Sequence, residues 1–196
     1  MIDTIYVENA VAGHDRTKTM TRRFPDAARV TCDRYQEVFN PKAQNFRLQK
    51  KKPALILAKK FGATVLPAPE GYGIGGEHNY YFSHMLNCIY DCRYCFLQGM
   101  YRSANYVLFV NYEDFQNEIN NILEQNPDEN EITFFSGYDC DSLALESVTR
   151  FVREFLPFFQ KHKKAVLELR TKSINVDELL NHEVILNCVV AYSFTP

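Results

Sequence analysis

Three thiols fall within eight residues, spaced C-x3-C-x2-C, in the segment Cys88-Ile-Tyr-Asp-Cys92-Arg-Tyr-Cys95. Thiolates are soft ligands, and three placed so closely suit a multinuclear centre better than a lone ion. A [4Fe–4S] cube has four iron corners, so three cysteines leave one iron without a protein ligand. That iron can take a small molecule carrying an amino and a carboxylate group. S-adenosylmethionine carries both, and the radical chemistry it offers is supplied by a cofactor, not by side chains. A structural zinc site is the competing reading. It wants four ligands, commonly as two separated pairs, and no second C-x2-C follows. His78 or His84 could complete a Cys3His set, although both read as part of the preceding strand. Inert packing thiols are the third reading, and they would have to gather half of the chain's six cysteines by chance.

The elements that must position these cysteines follow from periodicity. Residues 2–11 mix β-branched and aromatic types and read as a strand, Asp15 to Arg23 as a short polar helix, and Ala28–Cys32 as a second strand. Ala54–Ala58 is an apolar run whose period does not separate strand from helix, and Thr64–Pro67 reads as its continuation. In Pro67–Gly76 six of ten residues are Pro or Gly, which marks a loop and a boundary. Residues 1–76 therefore read as a small α/β N-terminal region.

From residue 78 strands and helices alternate. Strands are expected at Tyr80–Leu86, Tyr106–Val110, Ile132–Phe135, Ala165–Leu169 and Val184–Ser193. Helices are expected at Tyr112–Gln125, Ser142–Gln160 and Val176–Leu180. Such alternation implies parallel strands with right-handed crossovers, a partial TIM-like β/α barrel over residues 77–196. In these folds chemistry gathers at the C-terminal strand ends. The cysteine loop, Ser136–Asp141, Arg170–Ser173 and Ser193–Pro196 would share that rim. The last strand finishes without a covering helix, so the barrel is expected to be the truncated, N-terminal portion of a longer one.

Composition sets the outer limits. With 22 basic and 24 acidic residues the net charge is −2, so no global basic field advertises a nucleic-acid partner. No segment reads as a signal peptide or a membrane span, which implies no membrane partner, and free cysteines suit a reducing, cytoplasmic compartment.

The C-x3-C-x-aromatic-C pattern, with Tyr94 before the last cysteine, resembles the radical S-adenosylmethionine superfamily. Cys95-Phe-Leu-Gln98, Tyr106-Val-Leu-Phe-Val-Asn111, the segment Thr171 to Leu180 and Asp33-Arg-Tyr-Gln-Glu-Val-Phe39 narrow the likeness. Together they resemble the spore photoproduct lyase family. That resemblance implies a lyase that splits a UV-induced thymine dimer in DNA through a 5′-deoxyadenosyl radical. It also implies an electron donor such as flavodoxin or ferredoxin. The resemblance makes Cys88, Cys92 and Cys95 the ligands of a [4Fe–4S] cluster. It places Tyr94, Lys172 and Ser193 at the S-adenosylmethionine, where a strand-end lysine can pair with the methionyl carboxylate.

Two departures touch hydrogen return. The family's donor cysteine aligns with Tyr138, while Cys140 falls two residues later, where the family often has a cofactor-binding serine. Both Tyr138 and Cys140 are therefore candidate donors, and Cys140 is also a candidate cofactor contact. A family tyrosine after the last cluster cysteine is Phe96 here. The same cofactor acting on a different substrate, and a non-catalytic metal-binding interaction module, are the alternatives. Lys42, Arg47, Lys50, Lys51, Lys52, Lys59 and Lys60, with Phe46 nearby, form an acid-free stretch able to meet a phosphate backbone or to serve as a solvated face. Asp139 and Asp141 read as caps for the helix from Ser142.

Overall fold

In the computed structural model, residues 2–39, 42, 44–90 and 92–194 are described. In chain order the first elements are β1 (Thr4–Glu8), α1 (Asp15–Thr21), β2 (Ala28–Cys32), α2 (Phe46–Lys51), β3 (Leu55–Ala58), β4 (Val65–Pro67), β5 (His78–Phe82) and β6 (Met85–Leu86). There follow α3 (Leu97–Met100), β7 (Tyr106–Phe109), α4 (Tyr112–Gln125), β8 (Ile132–Phe135), α5 (Glu146–Thr149), α6 (Phe151–Lys161), β9 (Ala165–Thr171), α7 (Asp177–Leu180) and β10 (Cys188–Tyr192). The chain divides into two compact units, each assembled from two separate stretches: residues 1–61 with 84–111, and residues 62–83 with 112–196. The Pro/Gly loop after β4 lies within the span of the second.

The first unit is a five-stranded sheet in the order β2-β1-β3-β7-β6. Its pairings are parallel except at the β6 edge, which runs antiparallel to β7. The apolar run of β3 resolves as a strand because it sits between β1 and β7, and all four of its residues are buried, as a strand covered on both faces requires. Side chains at the strand ends bind the chain leaving β3. A Glu8 carboxylate oxygen accepts from Lys59 N–H at 2.9 Å, and Asn111 Oδ1 accepts from Lys60 N–H at 2.8 Å.

The second unit is another five-stranded sheet, β10-β9-β8-β5-β4, parallel but for the β4 edge. Its core is aromatic. Phe155 stacks on Phe151 at 4.4 Å and on Phe82 at 5.4 Å, and the Tyr112 ring meets Phe155 edge-on at 5.3 Å. Edge and offset ring packing of this kind adds to plain burial.

The α/β class and the alternation of elements match expectation, with local differences. Thr64–Pro67 does not extend β3; β4 pairs with β5 in the other sheet. The expected strand Tyr80–Leu86 is two strands, because the chain leaves one sheet at Ser83 and joins the other at Met85. Ser83 still bridges Gly137 beside β8. The strand read over residues 2–11 ends at Glu8 and passes into a 3-10 turn, Asn9–Val11. The expected Ser142–Gln160 helix is α5 and α6, separated by Arg150 in the left-handed region at φ 49°. The Glu146 carboxylate explains the break. It accepts from the N–H groups of Phe151 and Val152 at 3.0 and 3.1 Å, satisfying donors that a new helix start leaves open. The last strand is shorter than expected, and Thr195 and Pro196 of the expected rim lie outside the described residues.

Candidate metal centre and strand-end rim

In the first unit the cysteine segment follows β6 through Asn87, whose φ of 69° is a left-handed conformation that asparagine tolerates better than most residues. Its amide anchors the turn, donating to the carbonyls of Ser103 at 2.7 Å and Asn105 at 2.9 Å. Beyond it, Tyr90 N–H points at Cys88 Sγ (3.4 Å), Cys95 N–H donates to the Cys92 carbonyl (3.0 Å) and Gln98 N–H to the Cys95 carbonyl (3.1 Å). These local turns bring Cys88, Cys92 and Cys95 to one pocket, also lined by Phe46, Lys50, Asn87, Tyr90, Gln98 and Tyr106. All three thiols are partly exposed and none is in a disulfide.

This donor set fits an iron–sulfur cube. Each corner of a cube takes one thiolate, so its sulfurs need a shared pocket, not a single meeting point. Among the described residues no group of three or more His, Cys, Asp or Glu side chains is placed to ligate one metal ion. The candidate zinc histidines add nothing to the set. His84 is 1% exposed and burial lowers its pKa to about 3, while His78 pairs with Glu129 at 3.0 Å. Tyr94 is 59% exposed and Phe96 58%.

The second unit carries the other candidates at the C-terminal ends of its parallel strands. After β8 the chain is laced to the end of β9. Ser136 Oγ donates to the Glu168 carbonyl at 2.8 Å, and Ser142 N–H to that of Arg170 at 2.9 Å, while Ser142 Oγ accepts from Arg170 N–H at 3.0 Å. Gly137 permits this approach, since a Cβ there would stand 2.8 Å from Ser142 Oγ and 3.1 Å from the Arg170 carbonyl oxygen. Asp141, 7% exposed, is the knot. Its Oδ1 accepts from Thr171 Oγ1 at 2.6 Å and from Leu143 N–H at 3.0 Å, and its Oδ2 from Lys172 N–H at 2.6 Å. The expected capping role is not met: no helix starts at Ser142, α5 begins at Glu146 behind Leu145 with no side-chain cap, and the Asp141 contact to Leu143 closes a turn instead. Asp139 does something else: its Oδ2 accepts from Ser83 Oγ at 2.7 Å, tying the rim to the end of β5.

Within this framework Cys140 is buried, with its Sγ 3.6 Å from the Ser136 carbonyl oxygen. Tyr138 stands among tyrosines, its ring 4.3 Å from that of Tyr81 and 5.4 Å from that of Tyr72. Burial raises the pKa of Tyr81 and Tyr72, with Asp139 adding to the first. Lys172 and Ser193 come together: Lys172 Nζ donates to the Ser193 carbonyl at 2.8 Å, and Ser193 N–H to that of Thr171 at 2.9 Å. Asn87 and the knot role of Asp141 were missed in the sequence. An Asn directly before the first motif cysteine was the available signal for the turn. Nothing local marks the reach of Asp141 to β9.

Residues 77–194 match the sequence profile of the family described as spore photoproduct lyase. Solved structures agree in fold. A spore photoproduct lyase cysteine-to-serine mutant superposes with a TM-score of 0.83 at 16% identity. A second, a double mutant with bound AdoMet and dinucleoside spore photoproduct, gives the same values, and a tyrosine-to-phenylalanine mutant gives 0.83 at 17%. Each alignment covers 99% of this chain and 56% of the solved one, so the chain spans little more than half the length of those proteins. Comparison with curated proteins gives no match.

Proposed function

Because the chain belongs to the spore photoproduct lyase family, we propose that it carries the cluster and cofactor sites of a radical S-adenosylmethionine lyase that splits a UV-induced thymine dimer in DNA. The observation that carries this reading is the single pocket lined by Cys88, Cys92 and Cys95. When bound, a [4Fe–4S] cluster with S-adenosylmethionine supplies a 5′-deoxyadenosyl radical. The chain's own residues hold and orient. Cys88, Cys92 and Cys95 would hold three of the cluster's irons. Lys172, whose ammonium already meets a carbonyl at the end of β10, pairs with the cofactor carboxylate. Ser193 and Tyr94 contact the rest of the cofactor.

Hydrogen return falls to the rim after β8. Cys140 would give its thiol hydrogen atom to the thymine radical left when the dimer opens, the resulting thiyl radical being returned to thiol by one electron from the donor protein and a proton, or Tyr138 would give its phenolic hydrogen and be restored in the same way. The first is the donor we favour, because a thiol is the better hydrogen-atom source. Solved relatives bound to dinucleoside spore photoproduct support the lesion as substrate. Flavodoxin or ferredoxin serves as the electron donor, and the reaction takes place in the cytoplasm. Among the described residues no helix is long and apolar enough to cross a membrane. Phe96, which lacks the phenol of its family counterpart, favours a second reading: the same cofactor acting on another substrate.

The test is the anaerobically reconstituted full-length protein with dinucleoside spore photoproduct. Expected are 5′-deoxyadenosine and repaired thymine. In Cys140→Ala the first persists while the thymine radical is diverted to by-products, whereas Tyr138→Phe still repairs. Clean repair by Cys140→Ala excludes that donor. Cleavage of S-adenosylmethionine with an untouched lesion overturns the substrate and supports the second reading.

A further inference from the structure

The acid-free stretch around α2 is not uniform in what its cations meet. Lys52 pairs with Asp3 at 3.1 Å. Lys59 and Lys60 lie over the rings of Phe61 and Phe109, at 5.7 and 5.3 Å from their centroids. Lys50 is different: it lines the pocket of the three cysteines. Its Nζ donates to Gln98 Oε1 at 3.1 Å and stands 5.6 Å from the centroid of Phe46, and both partners line the same pocket. Gln98 is itself fastened to the ligand loop through the Cys95 carbonyl. The helix that presents Lys50 is held from both ends. Asn45 Oδ1 caps it at Leu48 N–H (3.1 Å), and Gln49 Oε1 accepts from Ala104 N–H at 3.0 Å, on the far side of the cysteine loop. Lys50, although exposed, is thus a cation at the wall of the pocket that the three thiols line.

We propose that Lys50 is a positioning residue for the cluster's charge: its ammonium stabilises the reduced state and raises the reduction potential. The proposal rests on the reading that this pocket holds an iron–sulfur cluster. Reduction adds one electron, hence one negative charge, to a centre already surrounded by thiolates. A nearby cation favours the more negative state over the less negative one. The electron comes from a one-electron donor protein; Lys50 neither gains nor loses one. The same ammonium, if turned outward, would instead meet a DNA phosphate, and the two roles separate experimentally.

The experiment uses the full-length protein, reconstituted anaerobically without S-adenosylmethionine, as Lys50→Met and Lys50→Arg. Iron and sulfide are counted first, and the midpoint is then read by potentiometric titration followed by electron paramagnetic resonance. Lys50→Met is expected to keep its iron and to shift the midpoint to a more negative value. At a fixed applied potential the ratio of reduced to oxidised cluster falls several-fold. Lys50→Arg restores the midpoint, and added salt narrows the gap between Lys50→Met and the unmutated protein, as a screened charge requires. An unchanged midpoint at full iron content overturns the proposal, whether or not DNA affinity falls. Loss of iron in Lys50→Met also overturns it, since the role assigned is electrostatic. Absence of iron and sulfide from the unmutated protein sinks the cluster reading itself, a separate failure.

Discussion

The cysteine loop and the β8–β9 rim both hold polar side chains at strand ends, by different means. The loop takes its shape from turns a few residues long between the cysteines, with Asn87 anchoring it to Ser103 and Asn105 further along the same connection. The rim is bound at long range, with Asp141 holding Thr171 and Lys172, and Ser83 holding Asp139 across 56 positions. A ligand set for a cofactor can be carried by one short segment, because the metal itself completes the geometry. The side chains of the rim have no such template, so the sheet must place them.

The largest effect that tests this contrast is loss of a motif cysteine. Cys88→Ala, Cys92→Ala or Cys95→Ala should each abolish the iron–sulfur absorbance while leaving far-UV circular dichroism unchanged. Cys32→Ala and Cys188→Ala, in β2 and β10, should keep full absorbance. A complete cluster in Cys92→Ala would break the assignment of the loop.

Next in size is the knot of the rim. Asp141→Ala removes a buried carboxylate that accepts three hydrogen bonds and leaves their donors without it. The expected cost is about 4 kcal/mol in denaturant unfolding. Iron content per folded molecule should not change. If Asp141→Ala is as stable as the unmutated protein, the rim is held by something other than this carboxylate.

The smallest effect is a pH dependence confined to the second unit. Burial pushes the Glu146 carboxyl up to about 7, despite N–H donation from Val152 and Phe151. The unfolded chain ionises this group first. Its contribution is therefore present below about pH 4.5 and is lost as pH rises to about 7. Glu146→Gln should flatten that segment of the stability curve, removing a slope worth up to about 3 kcal/mol, as read by thermal melts across the range. Parallel melting curves for the two proteins would show that the buried carboxyl ionises normally.

What could be read from the sequence follows the same division. The helix Tyr112–Gln125 and the strands Ala28–Cys32 and Ile132–Phe135 stand where they are expected: the helix buries one face, Ile132–Phe135 is buried throughout, and Ala28–Cys32 is an edge strand buried only at Cys32. The C-x3-C-x2-C spacing marked the cysteine loop as a candidate because its information is local. The strand over Tyr80–Leu86 was misread because its apolar content runs on while the chain changes sheets at Ser83–His84. The break at Arg150 was invisible because arginine carries no left-handed signal, and the carboxylate that stabilises it, Glu146, acts only once folded.

The alternation of the chain between its two units has a consequence for synthesis on the ribosome. The first sheet needs β7, from residues 106–109, before its central strand β3 has a partner on both sides. By then β4 and β5 have already emerged, and β5 must wait for β8, some fifty residues behind it, before its parallel edge is covered. A nascent chain therefore carries a finished cysteine loop and, in the other unit, an antiparallel strand pair with one bare edge, the kind of surface that invites wrong pairing. The cysteine loop is thus complete in sequence well before the rim of the second unit has been made.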